Sequence, residues 1–156
     1  MRRTYACWSL ASLFLYYNVD RWTPLGNWNG VHHWPGQNVQ SSLDIVVGVV
    51  LLVAIISFRT NFRPGMILAT ALLSFWVYFH FQAWWLPYFR GVTSPRAIAF
   101  HEQFLEHTQV LQRFGNHFPP DAEHTFIDFF LFPALFFCLV ATMRTLFGRS
   151  PQSSAS

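Results

Sequence analysis

The sequence predicts an all-α integral membrane protein, a bundle of four transmembrane helices with one amphipathic helix on its surface. Hydrophobic residues make up 53% of the 156-residue chain and charged residues only 11%, whereas soluble domains usually contain roughly 25% charged residues. Residues 66–89 form a run of 24 residues without a formal charge. A helix of that length, rising about 1.5 Å per residue, crosses the roughly 30 Å hydrocarbon core of a bilayer.

The first predicted span covers residues 4–19. Its basic start and short apolar run also fit a signal peptide, but no cleavage site of the A-x-A type follows. Tyr16 and Tyr17 are typical of the interfacial end of a retained helix. Residues 20–41 contain prolines, glycines and amides, and they predict a structured loop on the headgroup layer. Five tryptophans near the predicted span ends are expected to anchor there: Trp22, Trp28, Trp34, Trp84 and Trp85.

The second and third spans are predicted at residues 42–58 and 66–89. Ser41 and Asp44 have the spacing of a variant capping box at the start of the second span. We therefore interpret Asp44 as a helix cap and not as a catalytic acid. A short basic turn with a proline and a glycine, residues 59–65, separates the two spans.

An amphipathic surface helix is predicted over residues 95–114, after the third span. Ser94 and Pro95 provide an N-cap and a first-turn proline for it. Its many polar side chains make it unsuited to crossing the bilayer.

The fourth span is predicted at residues 121–147, with Asp121 as its N-cap. Pro133 lies in its middle and predicts a kink. The polar tail, residues 148–156, is predicted to be disordered. Residues 1–147 therefore form a single membrane domain.

Charge placement predicts the orientation. Four spans bring both termini to one side, and that side carries six of the ten arginines in three short segments. The positive-inside rule then places both termini in the cytoplasm, and we expect a bacterial inner membrane. All seven acids and all seven histidines fall on the other side, in the outer loops or outer helix ends. A functional site is therefore expected to face the periplasm or exterior.

The candidate ligand or proton site consists of His80, His124 and Asp128, with Gln82 close by in sequence. Ionisable groups inside spans cost about 3 kcal/mol on insertion scales, so they usually face the bundle interior and have a partner. Asp128 follows His124 by four residues, which places both on one helix face. His80 lies at a comparable depth on its own helix. The alternative is an interhelical hydrogen bond that only holds the bundle together.

Cofactor candidates are haem, a chlorin, a quinone or a metal ion, because a histidine lies in an aromatic segment. His32, His33 and His117, in the outer loops, are weaker candidate metal ligands with no specific spacing. The segment at 101–107 does not match the HExxH pattern of zinc proteases, since its histidines are six residues apart instead of four. The two cysteines, Cys7 and Cys138, lack a CxxC spacing and are interpreted as buried apolar residues.

We expect a small accessory or cofactor-sheltering subunit of a larger membrane complex, because the chain is short and has no catalytic motif. The alternative is a membrane-embedded enzyme or redox protein that acts on a hydrophobic or quinone-like substrate through the candidate site. A transporter or channel subunit would need oligomerisation to form a pathway. The expected partners are the lipid bilayer and other membrane subunits or further copies of this chain. Nucleic acid is not expected as a partner, since the net charge of +3 is small and spread along the chain.

Overall fold

The computed structural model describes residues 2–29 and 37–148, and all regular secondary structure in these ranges is helical. His32, His33, Trp34 and the tail beyond residue 148, all of which carry predictions, lie outside the described residues. A 3₁₀ turn follows α1 at Gly26–Trp28, and a π-helical segment at Phe81–Trp85 joins α3 to α4. The six α-helices are α1 (Arg2–Trp22), α2 (Gln37–Thr60), α3 (Arg63–His80), α4 (Leu86–Arg90), α5 (Pro95–Glu102) and α6 (Ala122–Phe147).

Three helical segments are long and apolar enough to cross a membrane: Ser42–Thr60, Arg63–Arg90 and Ala122–Phe147. The second of these runs continuously through α3, the π-helical segment and α4. Helix α1 has 21 residues but is less apolar, because arginines lie at both its ends and Asp20 near its last turn. The predicted spans at residues 42–58, 66–89 and 121–147 coincide with these three candidate membrane-spanning helices, and a spanning role for α1 stays a prediction.

The four long helices pack in a closed ring, in which α1 contacts α2 and α6, and α3 contacts the same two helices. Neighbouring helices are antiparallel, as a hydroxyl–hydroxyl hydrogen bond of 2.9 Å joins Thr70 near the start of α3 to Thr142 near the end of α6. Leu10, Leu13, Phe58, Leu131 and Cys138 are fully buried in the centre of the ring. The prediction of buried apolar cysteines therefore agrees with Cys138, and the other, Cys7, is half-buried and also free.

The capping box predicted at the start of the second span is wrong. Helix α2 begins at Gln37, so Ser41 lies inside the helix and Asp44 lies about two turns from its start. The Asp44 carboxylate instead accepts a 2.7 Å hydrogen bond from the hydroxyl of Tyr17 on α1. This partner is remote in sequence, so a short-range motif could not indicate it.

The surface helix is shorter than predicted, because α5 ends at Glu102 and residues 103–114 form turns. Hydrogen bonds to other parts of the chain prevent these residues from forming a helix. The Thr108 N–H donates to the Asn27 carbonyl at 2.7 Å, and the Thr108 carbonyl accepts from the Ala122 N–H at 2.7 Å. This segment therefore connects the loop after α1 to the start of α6, which a continuous surface helix would not reach.

The π-helical segment was not predicted, and Pro87 gives its physical reason. A proline lacks an N–H and its ring clashes with the carbonyl four residues earlier. The backbone avoids this clash by widening the turn immediately before it, which is the geometry of a π-helix. As a result, Trp84 and Trp85 both contact residues of α6.

Candidate functional site

Ionisable side chains are concentrated at the end of the bundle where α1 and α3 end and α2 and α6 begin. Antiparallel packing brings these four helix ends together, although they are far apart in sequence. We call this set the polar cluster. It consists of Asp20, Arg21, Asp44, His80, His107, Asp121, Glu123, His124 and Asp128.

Arg21 connects three helices in the polar cluster. Its guanidinium donates to the Glu123 carboxylate on α6. Its Nε lies 3.8 Å from Asp20 Oδ2 and 3.9 Å from Asp44 Oδ1 on α2. The Arg21 side chain is only 12% exposed, so these ion pairs are shielded from water. Charge interactions are stronger in such a buried environment than at the protein surface.

Asp121 is the N-cap of α6, as predicted, and also the acceptor for two histidines. Its Oδ1 accepts from the His124 backbone N–H at 3.0 Å and lies 2.6 Å from His124 Nδ1. Its Oδ2 lies 2.8 Å from Nδ1 of His107, in the turns after α5. Burial alone would raise the pKa of the Asp121 carboxyl, but the hydrogen bonds from His107 and His124 outweigh it and hold this pKa below its ordinary value.

These hydrogen bonds determine which nitrogens of the two imidazoles carry protons. The Asp121 carboxylate only accepts, so Nδ1 of His107 and Nδ1 of His124 are the donors. In each neutral ring Nε2 then keeps its lone pair. Such carboxylate–histidine pairs commonly orient an imidazole for metal binding or proton transfer.

His80 and Asp128, the predicted pair inside the spans, do come together. His80 Nε2 lies 3.1 Å from the His124 carbonyl oxygen and 3.3 Å from Asp128 Oδ1. Trp85 Nε1 donates to the other carboxylate oxygen, Oδ2, at 2.5 Å. The rings of Trp84 and His124 stack with centroids 3.5 Å apart. The structure thus places His80, His124 and Asp128 in one contiguous group, whereas Gln82 is exposed on the π-helical segment.

The tryptophans and the remaining histidine candidates occupy different positions. Trp84 is only 7% exposed and is a core residue instead of an interface anchor, whereas Trp22 is 49% exposed. Trp85 and Trp28 are half-buried, and Trp28 packs edge-on against Phe126. His117 lies apart from the polar cluster. Its Nδ1 donates to the Tyr88 carbonyl at 2.8 Å.

The two histidines of the 101–107 segment do not converge on one site. His101 stacks on Phe118 with ring centroids 5.4 Å apart, while His107 bonds to Asp121. Burial lowers the pKa of His101, so it is neutral near pH 7 and part of the aromatic packing beneath the loop.

The polar cluster contains more buried carboxyl groups than arginines that contact them. Within the described residues, five carboxylates are at most 5% exposed: Asp20, Asp44, Asp121, Glu123 and Asp128. Arg21 is the one arginine that contacts them in this part of the chain. Three of these acids each have one buried oxygen without a hydrogen bond, namely Asp20 Oδ1, Glu123 Oε2 and Asp128 Oδ1.

Sequence reasoning missed Arg21, Glu123, His107 and the second role of Asp121. Only the general placement of acids and histidines at one end of the bundle could have indicated them. Their pairing depends on contacts between residues such as Arg21 and Glu123, which are 102 positions apart.

Comparison with family models, with curated proteins and with solved structures finds no match for this chain. Its function is therefore inferred from the chemistry of the polar cluster and from the helices that hold it.

Proposed function

We propose that this chain is a small integral membrane protein, an accessory or cofactor-sheltering subunit of a larger membrane complex. The polar cluster is the site at which the cofactor is held. The single observation that carries the proposal is the excess of buried carboxylates over the one arginine that contacts them. Buried carboxylates are costly unless they are paired, protonated or bound to a cation. A cationic group bound at the cluster would balance this charge.

The proposed topology has four spans, with α1 as the first and both termini in the cytoplasm of a bacterial inner membrane. Arginines at the end of the bundle opposite the polar cluster support this orientation. Arg3 and Arg59 line one groove between α1 and α2, and Arg63 begins α3. Lys and Arg are enriched on the cytoplasmic side of membrane proteins, so the polar cluster then faces the periplasm.

The outer surface of the bundle favours apolar neighbours. Large apolar side chains are exposed along the candidate spans, including Phe75, Phe79, Phe129 and Phe136. Lipid covers such residues in a membrane, and aromatic side chains are also enriched in protein–protein interfaces. Both the bilayer and further subunits or copies of this chain are therefore the proposed partners.

The topology yields a direct prediction. A fluorescent protein that matures only in the cytoplasm, fused after the C-terminus, is expected to fluoresce. An alkaline phosphatase fused after residue 92, on the side of the polar cluster, is expected to be active. The reverse pattern would overturn the orientation.

The accessory role is tested by purification in mild detergent from the membranes of the source cells. We expect other membrane subunits to co-elute with the chain in stoichiometric amounts, as measured by mass spectrometry. A chain that elutes alone, with no partner recovered after crosslinking in membranes, would contradict the role in a complex.

An alternative function is a membrane-embedded enzyme or redox protein acting on a hydrophobic or quinone-like substrate. The contact between His80, His124 and Asp128, with Trp84 stacked on one imidazole, supports it. In the accessory role, Asp128→Asn is expected to be tolerated, because an asparagine oxygen still accepts from Trp85. Loss of quinone turnover in this variant, with bound cofactor, elution and helix content unchanged, would favour the alternative. Gln82→Ala is the matched control.

A further inference from the structure

We propose that His107, Asp121 and Glu123 bind a divalent transition-metal ion. This inference rests on the proposed function, since it names the cofactor that the polar cluster holds. One ligand atom from each of the three residues, an imidazole nitrogen or a carboxylate oxygen, lies within 4.8 Å of the other two. Two ligands of a tetrahedral zinc ion, each about 2.1 Å from the metal, are separated by about 3.4 Å. Ligand shifts on the order of 1 Å therefore close the site.

The state of Glu123 provides a second, independent indication of a ligand. Glu123 is only 1% exposed, and its Oε1 is bound by Arg21. Its Oε2 is buried without a hydrogen bond. A buried acceptor without a partner is costly, and a bound metal ion would supply the missing contact.

The surroundings of the site support a cation. Metal binding requires both carboxyl groups to be deprotonated, and Asp121 and Glu123 then contribute two negative charges, which match a divalent ion. Arg21 lies beside Glu123 and opposes metal binding, but it also lies within 4 Å of the carboxylates of Asp20 and Asp44. Arg21 is therefore shared among three carboxyl groups, which reduces its opposition to a cation at the site.

The ligand chemistry selects the class of ion. One imidazole with two carboxylates suits zinc, manganese or ferrous iron, whereas copper(I) and iron–sulfur clusters prefer thiolates. His107 provides an uncharged nitrogen ligand through Nε2, or through Nδ1 after release of its proton to water. His124 acts as a positioning residue, because its Nδ1 donates to Asp121 and orients that carboxylate.

The test uses the full chain, produced with a histidine-free affinity tag, purified in mild detergent and stripped with EDTA. Zinc and, separately, manganese are then added, and excess metal is removed by gel filtration. We expect about one ion per chain by elemental analysis and an increase in the thermal unfolding temperature. His107→Ala is expected to weaken zinc binding at least about tenfold, as loss of a ligand typically does more than loss of its supporting partner.

His117→Ala is the matched control, because His117 is also a half-buried loop histidine but lies outside the ligand set. It is expected to retain wild-type stoichiometry and affinity. Glu123→Gln is the second test variant, since glutamine keeps the side-chain length and an oxygen for Arg21. It is expected to reduce metal binding, while gel-filtration elution and helix content stay unchanged.

The inference is overturned if the stripped wild type takes up less than a tenth of an equivalent of both metals. It is also overturned if both test variants bind them as tightly as the His117→Ala control. If the chain co-elutes with other subunits but takes up no metal, the metal-binding inference is wrong and the accessory role is unaffected. A chain that binds one zinc ion but has no partners in its membranes removes the accessory role alone.

Discussion

Replacing Arg21 by methionine is expected to destabilise the folded protein by about 3–5 kcal/mol, the usual effect of removing one partner of a buried ion pair. Methionine has a similar reach but no charge, so the carboxylates of Glu123, Asp20 and Asp44 would lose their shared cation. The measurement is thermal and denaturant unfolding of the purified protein in detergent, followed by tryptophan fluorescence. Arg96→Met is the matched control, since Arg96 is exposed, and it is expected to have little effect.

A double variant separates charge burial from loss of packing at this position. Adding Glu123→Gln to Arg21→Met removes one of the carboxylates that the first substitution leaves unpaired. We expect the double variant to recover part of the lost stability, so that the two effects are not additive. If Arg21→Met unfolds like the Arg96→Met control, Arg21 does not stabilise the polar cluster.

The second large effect is expected for Asp121→Ala. This substitution removes the N-cap of α6, which costs about 1 kcal/mol. It also leaves Nδ1–H of His107 and of His124 without their acceptor, at about 1–3 kcal/mol for each buried unsatisfied donor. Unfolding is measured in EDTA, so that any bound metal does not contribute. The control is Ser94→Ala, because Ser94 is the N-cap of α5 but its side chain makes no capping hydrogen bond.

The effect of Asp121 also has a defined pH dependence. Its folded-state pKa lies below the ordinary value of 3.8, so its stabilising contribution is fully present above that value. The contribution is lost as the pH falls through the lower folded-state pKa. The difference in stability between the wild type and Asp121→Asn is therefore expected to be constant from pH 5 to 8 and to shrink only under stronger acid. A difference that vanishes between pH 7 and 5 would contradict this assignment of charge.

Helices α2 and α5 show which features of the fold could be predicted from the sequence. Residues 42–58 were predicted as a span because the apolar run alone determines that a helix there must be buried in lipid or protein. The start of α2 at Gln37 was missed. The end of α5 at Glu102 was also missed, because this boundary depends on contacts with other parts of the chain. The turns at 103–114 are stabilised by hydrogen bonds to Asn27 and Ala122, which outweigh the local helical preference.

The candidate site was likewise predicted only in part from the sequence. Asp128 and His124 were placed on one helix face from their spacing, since four residues make about one turn of a helix. His80 was added from its depth, and the structure brings it to both residues. The Asp128→Asn experiment distinguishes the two roles of this group, a ligand site or an interhelical bond.

The sequence by itself determined that this is a helical chain with long apolar segments and with its acids and histidines near one end of them. It could do so because helix length, apolar composition and the order of charges are properties of single segments. Only the tertiary structure decided that Arg21 lies among Asp20, Asp44 and Glu123, and that Asp121 accepts from two histidines. These pairings join residues from three helix ends and a loop, and their geometry exists only after antiparallel packing has brought those ends together.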